Sequence, residues 1–282
     1  MTGESVITIE QLSFTYATGT RPALHDISLD IKRGEYIGVM GLNGAGKTTL
    51  GLSLNGIVPQ SSLGHYEGKV TVDGHDAAVT PVREMAKMVG IVFDNPEFQM
   101  SQISAAEEVA LGLENLGVPT EEMHTRVSAA LALVGLAGFE ERSPLGLSGG
   151  QQQRLAIASV IAMQPRILFM DEPTSNLDPI GKEEVFELAR KLNKDEGLTV
   201  IVAEHEAEVL AAYADRIVVL HEGLIVMAGT PQEIFARADE LAAIGVRVPQ
   251  ATELALAMEP EAREGVPVTT ATAIEWMEAR AR

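Results

Sequence analysis

Apolar and polar residues alternate over VITIEQLSF, as in an edge strand, and again over ISLDI at 27–31. Lys32, Arg33, Gly34 and Glu35 then read as a hairpin turn into YIGVM at 36–40, whose unbroken apolar run predicts a short buried strand. A glycine-rich loop follows, and KTTLGLSLNG continues as a helix closed by Gly56. GKVTVDGHDAAV at 68–79 has the form of a hairpin around Asp73-Gly74, and MVGIVF at 88–93 is a second buried strand. Between about 95 and 156 the period changes: SAAEEVALGLENLG and TEEMHTRVSAALALVGL space their apolar residues three and four apart, as helices do. Strands return at RILFM (166–170), LTVIVA (198–203) and RIVVL (216–220), with helices between them, so the order predicts a parallel sheet with a helical insertion. Thr230-Pro231 has the form of an N-cap and first helical residue, and the chain beyond reads as helical and acidic, interrupted near Pro249, Pro260 and Pro267.

Composition narrows the picture further. At 282 residues with 46% hydrophobic content, the chain can bury a full core. No apolar run approaches the ~20 residues that a membrane span needs; the most apolar stretch, VIAMQPRILFM, is broken by Gln164, Pro165 and Arg166. MTGESVITIE lacks the basic and apolar regions of a signal peptide, and the absence of cysteine excludes disulfides and thiolate metal sites. With 21 basic against 40 acidic side chains, the net charge of −19 opposes binding to a phosphate backbone, so no nucleic-acid partner is expected.

GLNGAGKT at 41–48 fits G-x-x-x-x-G-K-[ST] with Gly41, Gly46, Lys47 and Thr48, between a predicted strand and helix. Glycines let backbone N–H groups converge on phosphate oxygens, and the helix N-terminus adds partial positive charge. In such a loop the lysine spans the β- and γ-phosphates and the threonine ligates Mg²⁺. RILFMDEP supplies the complement: a strand that ends in Asp171, placed to hold the Mg²⁺ shell, and Glu172, placed to polarise an attacking water. An Asp-Glu pair alone reads as a solvated strand end; after a phosphate loop it reads as a hydrolytic centre.

LSGGQ at 147–151 has no strong acid, base or metal ligand. Together with the preceding motifs it resembles the signature of the nucleotide-binding subunits of ABC transporters. The resemblance covers roughly residues 5 to 230. It implies an α/β fold: a P-loop NTPase, RecA-like core with an N-terminal antiparallel β subdomain, an inserted α-helical subdomain carrying the signature and a C-terminal helical extension. The corresponding segments are 1–93, 94–156, 157–230 and 231–282. It implies ATP and Mg²⁺ as cofactors, bound by Gly41, Asn43, Gly44, Ala45, Gly46, Lys47, Thr48 and Thr49, with Thr48, Asp171 and Asp94 at the metal. It further implies a second ATPase subunit packed head to tail, so that Ser148, Gly149, Gly150 and Gln151 close over the partner's ATP at the start of the helix QQQRLAIASVIA. SNLD, Ser175 to Asp178, corresponds to the loop linking the two sites. His205 matches the switch histidine that contacts the γ-phosphate and orients the water, and Lys47, Glu172 and His205 form the catalytic set. Tyr16 matches the aromatic that stacks on adenine, with Phe14 as the competing residue.

NPEFQ at 95–99, VALGLENLGVP at 109–119 and RVPQATELALAM at 247–258 look like the energy-coupling factor (ECF) ATPases. These drive importers of vitamins, vitamin precursors or cobalt and nickel ions through a transmembrane coupling subunit and a substrate-binding membrane subunit. That places the protein on the cytoplasmic face of the cell membrane, as a homodimer or a paralogous heterodimer. Asp94 stands where the family usually has Gln, and its charge would lie close to a γ-phosphate. Glu97 lies where acidic residues of the family meet an arginine of the coupling subunit. The competing readings are another ABC transporter class, a non-transport ABC ATPase of DNA repair or translation, and a nucleotide-binding module without turnover. The second would carry long inserts or fused halves, which this sequence lacks, and the third is opposed by Lys47, Glu172 and His205.

Overall fold

A computed structural model describes residues 4–260 and 265–280, so residues 1–3 of the first segment and 261–264 and 281–282 of the extension lie outside the described residues. Two sheets divide the core. The first contains β1 (Ser5–Tyr16), β2 (Leu24–Lys32), β4 (Gly64–Val72) and β5 (His75–Asp76), antiparallel in the order β2-β1-β4-β5. The second contains β3 (Tyr36–Met40), β6 (Val89–Val92), β7 (Ile167–Asp171), β8 (Thr199–Glu204), β9 (Arg216–His221) and β10 (Leu224–Gly229), in the order β10-β9-β3-β8-β7-β6. All but β10 run parallel, and β10 closes one edge antiparallel to β9.

Two local expectations fail. β1 is an interior strand, because Gly64–Val72 pairs along its free side. Lys32–Glu35 is no hairpin: β2 stays in the first sheet while β3 enters the second between β8 and β9. The physical reason lies in the two burial patterns. β2 alternates and keeps one face in water, whereas all five residues of β3 are buried and need cover on both faces.

That cover comes from both sides of the parallel sheet. Ile37, Val39, Ile167 and Phe169 point towards the first sheet and the helix Lys47–Leu54. Leu168, Met170, Val200 and Val202 point the other way, towards the helices Ala105–Leu116, Thr120–Leu133, Gly149–Ile161 and Pro179–Lys194. Fully burying one such aliphatic side chain stabilises the fold by roughly 1.5–3 kcal/mol. Thr230 caps the helix Pro231–Phe235, as the sequence predicts, and a reciprocal box with Glu233 completes the cap. The extension is seated on the core: Phe235, Val246, Val248 and Val268 share a cluster with Met40, Ala207 and Ile217.

Candidate nucleotide site

The phosphate loop leaves the C-terminal end of β3, where an open α/β sheet presents its crevice. Its geometry depends on missing side chains. A Cβ at Gly41 would lie 2.3 Å from the Leu220 carbonyl oxygen, and Gly46 combines φ of +110° with the Ala23 carbonyl oxygen 2.5 Å from its Cβ position. Gly51 acts one turn later. A Cβ there would stand 2.3 Å from Phe169, so only glycine lets the helix rest directly on β7. This close approach brings Thr48 to Asp171, with the hydroxyl donating to the carboxylate at 2.5 Å.

A cavity of about 530 Å³ opens over this junction, lined among others by Asn43, Gly44, Lys47, Asp94 and Glu172. Lys47 is 5% exposed. Its ammonium donates to the carbonyls of Gly41 (2.8 Å) and Leu42 (3.2 Å) and pairs with Glu172 at 3.0 Å. Burial raises the pKa of Asp171; the Thr48 hydrogen bond opposes this, while the charges of Glu172 and Asp94 add to it. Carboxylates that repel one another at the end of a strand fit a hard divalent cation. Among the described residues no group of three or more His, Cys, Asp or Glu forms a self-contained metal site. Thr48 and Asp171, bonded to each other, and Asp94 on the wall of the same cavity offer oxygen donors of the kind that such a cation takes together with phosphate and water.

Burial separates the two aromatics. Phe14 is fully buried, edge-to-face with Tyr16 at 4.8 Å, while Tyr16 is only partly buried, lines the cavity and reaches Thr49 Oγ1 at 3.2 Å. Ala45 packs at the back of the loop, 5% exposed, beside a neighbouring hollow that Asn43 and Gly44 also line.

Two expected groups stand apart. His205 opens onto a separate cavity of about 630 Å³, shared with Gly41, Leu42 and Arg247 of the extension. None of Ser148, Gly149, Gly150 and Gln151 lines the phosphate cavity of its own chain. Ser148 instead caps the helix, which begins at Gly149 rather than Gln151. Its hydroxyl accepts from Gln151 N at 3.4 Å, and the Gln151 side chain accepts from Ser148 N at 3.0 Å. Asp94 lines both the phosphate cavity and a smaller one of about 300 Å³ that contains Glu97, Gly149 and Asn176. Asp178 of SNLD caps the next helix through Gly181 N at 2.7 Å. The sequence reading missed Glu204 and Thr174, which meet in a buried hydrogen bond behind His205. Its one available signal was an acid closing an otherwise apolar strand.

The family model described as ABC transporter matches residues 24–175, more than half of the chain. This protein belongs to the ABC transporter ATP-binding family. It is an ABC ATPase, with the mixed α/β fold of that family. A Pyrococcus abyssi protein named as an ABC transporter ATP-binding protein is 47% identical over 245 residues, 87% of this chain and 88% of that one. The energy-coupling factor transporter ATP-binding protein EcfA1 of Lacticaseibacillus paracasei is 43% identical, over 89% of this chain and 88% of its own. Among solved structures, cbiO1 from Clostridium perfringens, part of the ABC transporter complex cbiONQ, superimposes with a TM-score of 0.75 at 33% identity. That match covers 86% of this chain and 94% of cbiO1. Among the described residues no helix is long and apolar enough to cross a membrane.

Proposed function

We propose that this ABC ATPase is the ATP-hydrolysing subunit of an ECF-type importer, energising uptake of a vitamin, a vitamin precursor or a transition-metal ion through membrane partners. The likeness to EcfA1 across most of both chains carries the assignment. The chain works at the membrane surface as one of two ATPase subunits. Support for the pairing is geometric: Lys47, Thr48 and Asp171 face one cavity, and the Ser148–Gln151 loop lies outside it.

On this reading Lys47 and the loop N–H groups receive the β- and γ-phosphates, and Tyr16 stacks on the adenine. Mg²⁺, when bound, supplies charge neutralisation at the phosphates; Thr48, Asp171 and Asp94 would hold it. Phosphate oxygens compete with Glu172 for the Lys47 ammonium, so nucleotide entry frees the carboxylate to take a proton from water. His205 swings to the γ-phosphate only when the partner's Ser148 and Gly149 close the site.

The test is purification of the tagged chain from solubilised membranes of its native cell. Expected is a complex with a transmembrane coupling subunit, whose ATP hydrolysis is abolished by Glu172→Gln. A chain that hydrolyses ATP but associates with membrane subunits of another transporter class would overturn the ECF assignment.

A further inference from the structure

We propose that Glu204 is a positioning residue for hydrolysis: it ties His205 through Nδ1 to the loop beyond Asp171 and Glu172, and so presents Nε2 to the nucleotide. This rests on the reading of His205 as the switch residue. Glu204 closes β8 and is 1% exposed. One carboxylate oxygen accepts from the Thr174 hydroxyl at 2.8 Å; the other accepts from His205 N at 3.1 Å and faces His205 Nδ1 at 3.5 Å. Thr174 is itself fully buried and lies two residues past Glu172, while Asp171 pairs with Ala203 across the sheet. One buried carboxylate thus straddles the loop of the proposed base and the loop of the proposed switch.

The carboxylate is costly where it stands. Burial raises its pKa, with hydrogen bonds from Thr174 and His205 N opposing the rise, so the site disfavours the charge that its donors favour. A neutral amide would join the two loops with less penalty. What a carboxylate adds is acceptors for three donors at once, including the ring. The ring is half exposed and makes no hydrogen bond among the described residues, so the Nδ1–Glu204 contact is its one polar tether. A distance of 3.5 Å is long for a hydrogen bond, as resting-state contacts often are before the nucleotide tightens them. A carboxylate at one imidazole nitrogen fixes which nitrogen carries the proton and leaves the other free to act. The other charged groups around the ring are Glu206, Glu208, Glu253 and Arg247 across the cavity, with Lys182 bonded to Glu206.

The experiment uses the full chain with isotope-labelled histidine and reads the ring nitrogens of His205 by NMR at about pH 9, where imidazole is neutral. Expected in the wild type is the Nδ1–H tautomer; in Glu204→Gln, which has one acceptor oxygen for three donors, a mixture. MgATP affinity should stay within about twofold while kcat falls about tenfold or more, and Thr174→Val should give an intermediate loss. A Glu204→Gln protein with the wild-type tautomer and kcat within about twofold overturns the proposal. If that variant does not fold, a wild-type ring protonated at Nε2 overturns it equally. A wild type without any ATPase activity would instead defeat the reading of the nucleotide site, while the tautomer still judges Glu204.

Discussion

Mixing two inactive variants tests whether the Ser148–Gln151 loop serves a partner's nucleotide. Ser148→Arg places a long cation at the N-cap of the helix Gly149–Ile161, at a loop absent from its own phosphate cavity. Losing the cap costs about 1 kcal/mol, small against the roughly 5–15 kcal/mol that holds a domain together, so the variant folds and binds ATP. Lys47→Ala removes the buried ammonium between Gly41, Leu42 and Glu172 and so disables phosphate binding in its own chain. Each homodimer is dead at both sites. In a mixed head-to-tail dimer one site collects both defects and the other collects neither. Equal mixing gives mixed dimers in about half of the population, each with one intact site, so up to about a quarter of wild-type phosphate release returns. Activity should follow the product of the two fractions as the ratio is varied. If the loop acted in its own chain, every site would stay defective and no ratio would restore turnover. Confirmed mixed dimers with no activity would refute trans action combined with single-site competence.

Glu172→Gln should bind MgATP and accumulate as a closed dimer on size-exclusion chromatography with hydrolysis down by about 10²-fold or more; turnover within a few-fold of wild type would remove Glu172 as the base. Glu97→Ala should weaken assembly with the coupling subunit by ~2–5 kcal/mol if it strands a buried guanidinium, while sparing the isolated ATPase. Asp94→Ala should lower coupled hydrolysis with assembly intact, and a pull-down in low and high salt separates the two effects. Asp171 has a folded-state pKa above its unfolded value, so the folded apo chain holds the proton more tightly between those two values. Apo stability from this group therefore falls as pH rises through that window. Asp171→Asn should raise the apo melting temperature near neutral pH and lose the extra stabilisation that MgATP gives; a lower apo melting temperature would contradict this.

The phosphate loop was legible because its chemistry requires contiguous residues: the glycines, Lys47 and Thr48 act within one turn. The helical insertion and buried strands were equally plain, since β3 is apolar throughout, β7 and β8 are apolar but for Asp171, Thr199 and Glu204 at their ends, and the helices keep their period. Partnership between strands was not. β1 looked like an edge because its partner β4 opens with the largely exposed GHYEGK, and a register shift separates the two halves of that pairing. β10 was missed because LIVMAG has no strict polar alternation, although Glu222-Gly223, both with positive φ, turns it back on β9. Glu204 was invisible for a related reason. A single acid at a strand end reads as solvated, and only the packing of Thr174 against it reveals that water is excluded.

The resting contacts suggest how docking, binding and hydrolysis form one sequence. Lys47 and Glu172 neutralise each other at 3.0 Å, so the proposed base is held by the residue that ATP needs first. An ion pair with one partner 21% exposed at its side chain can be broken by an incoming polyanion, because the phosphates offer the ammonium more charge than the carboxylate does. Asp94 then becomes the unfavourable group, since it faces the same cavity with the same sign as the γ-phosphate. A divalent cation relieves that repulsion from inside. A cationic side chain reaching the Asp94–Glu97 cavity from a membrane partner relieves it from outside, because Asp94 borders both spaces. With Gln at this position the outside route would have no charge to act on. With Asp, one carboxylate bordering both cavities would link arrival of such a partner to readiness of the proposed metal site. Asp94→Gln should therefore keep metal-dependent ATP binding and lose the stimulation of hydrolysis by the coupling subunit. Undiminished stimulation in that variant would show that docking is read elsewhere.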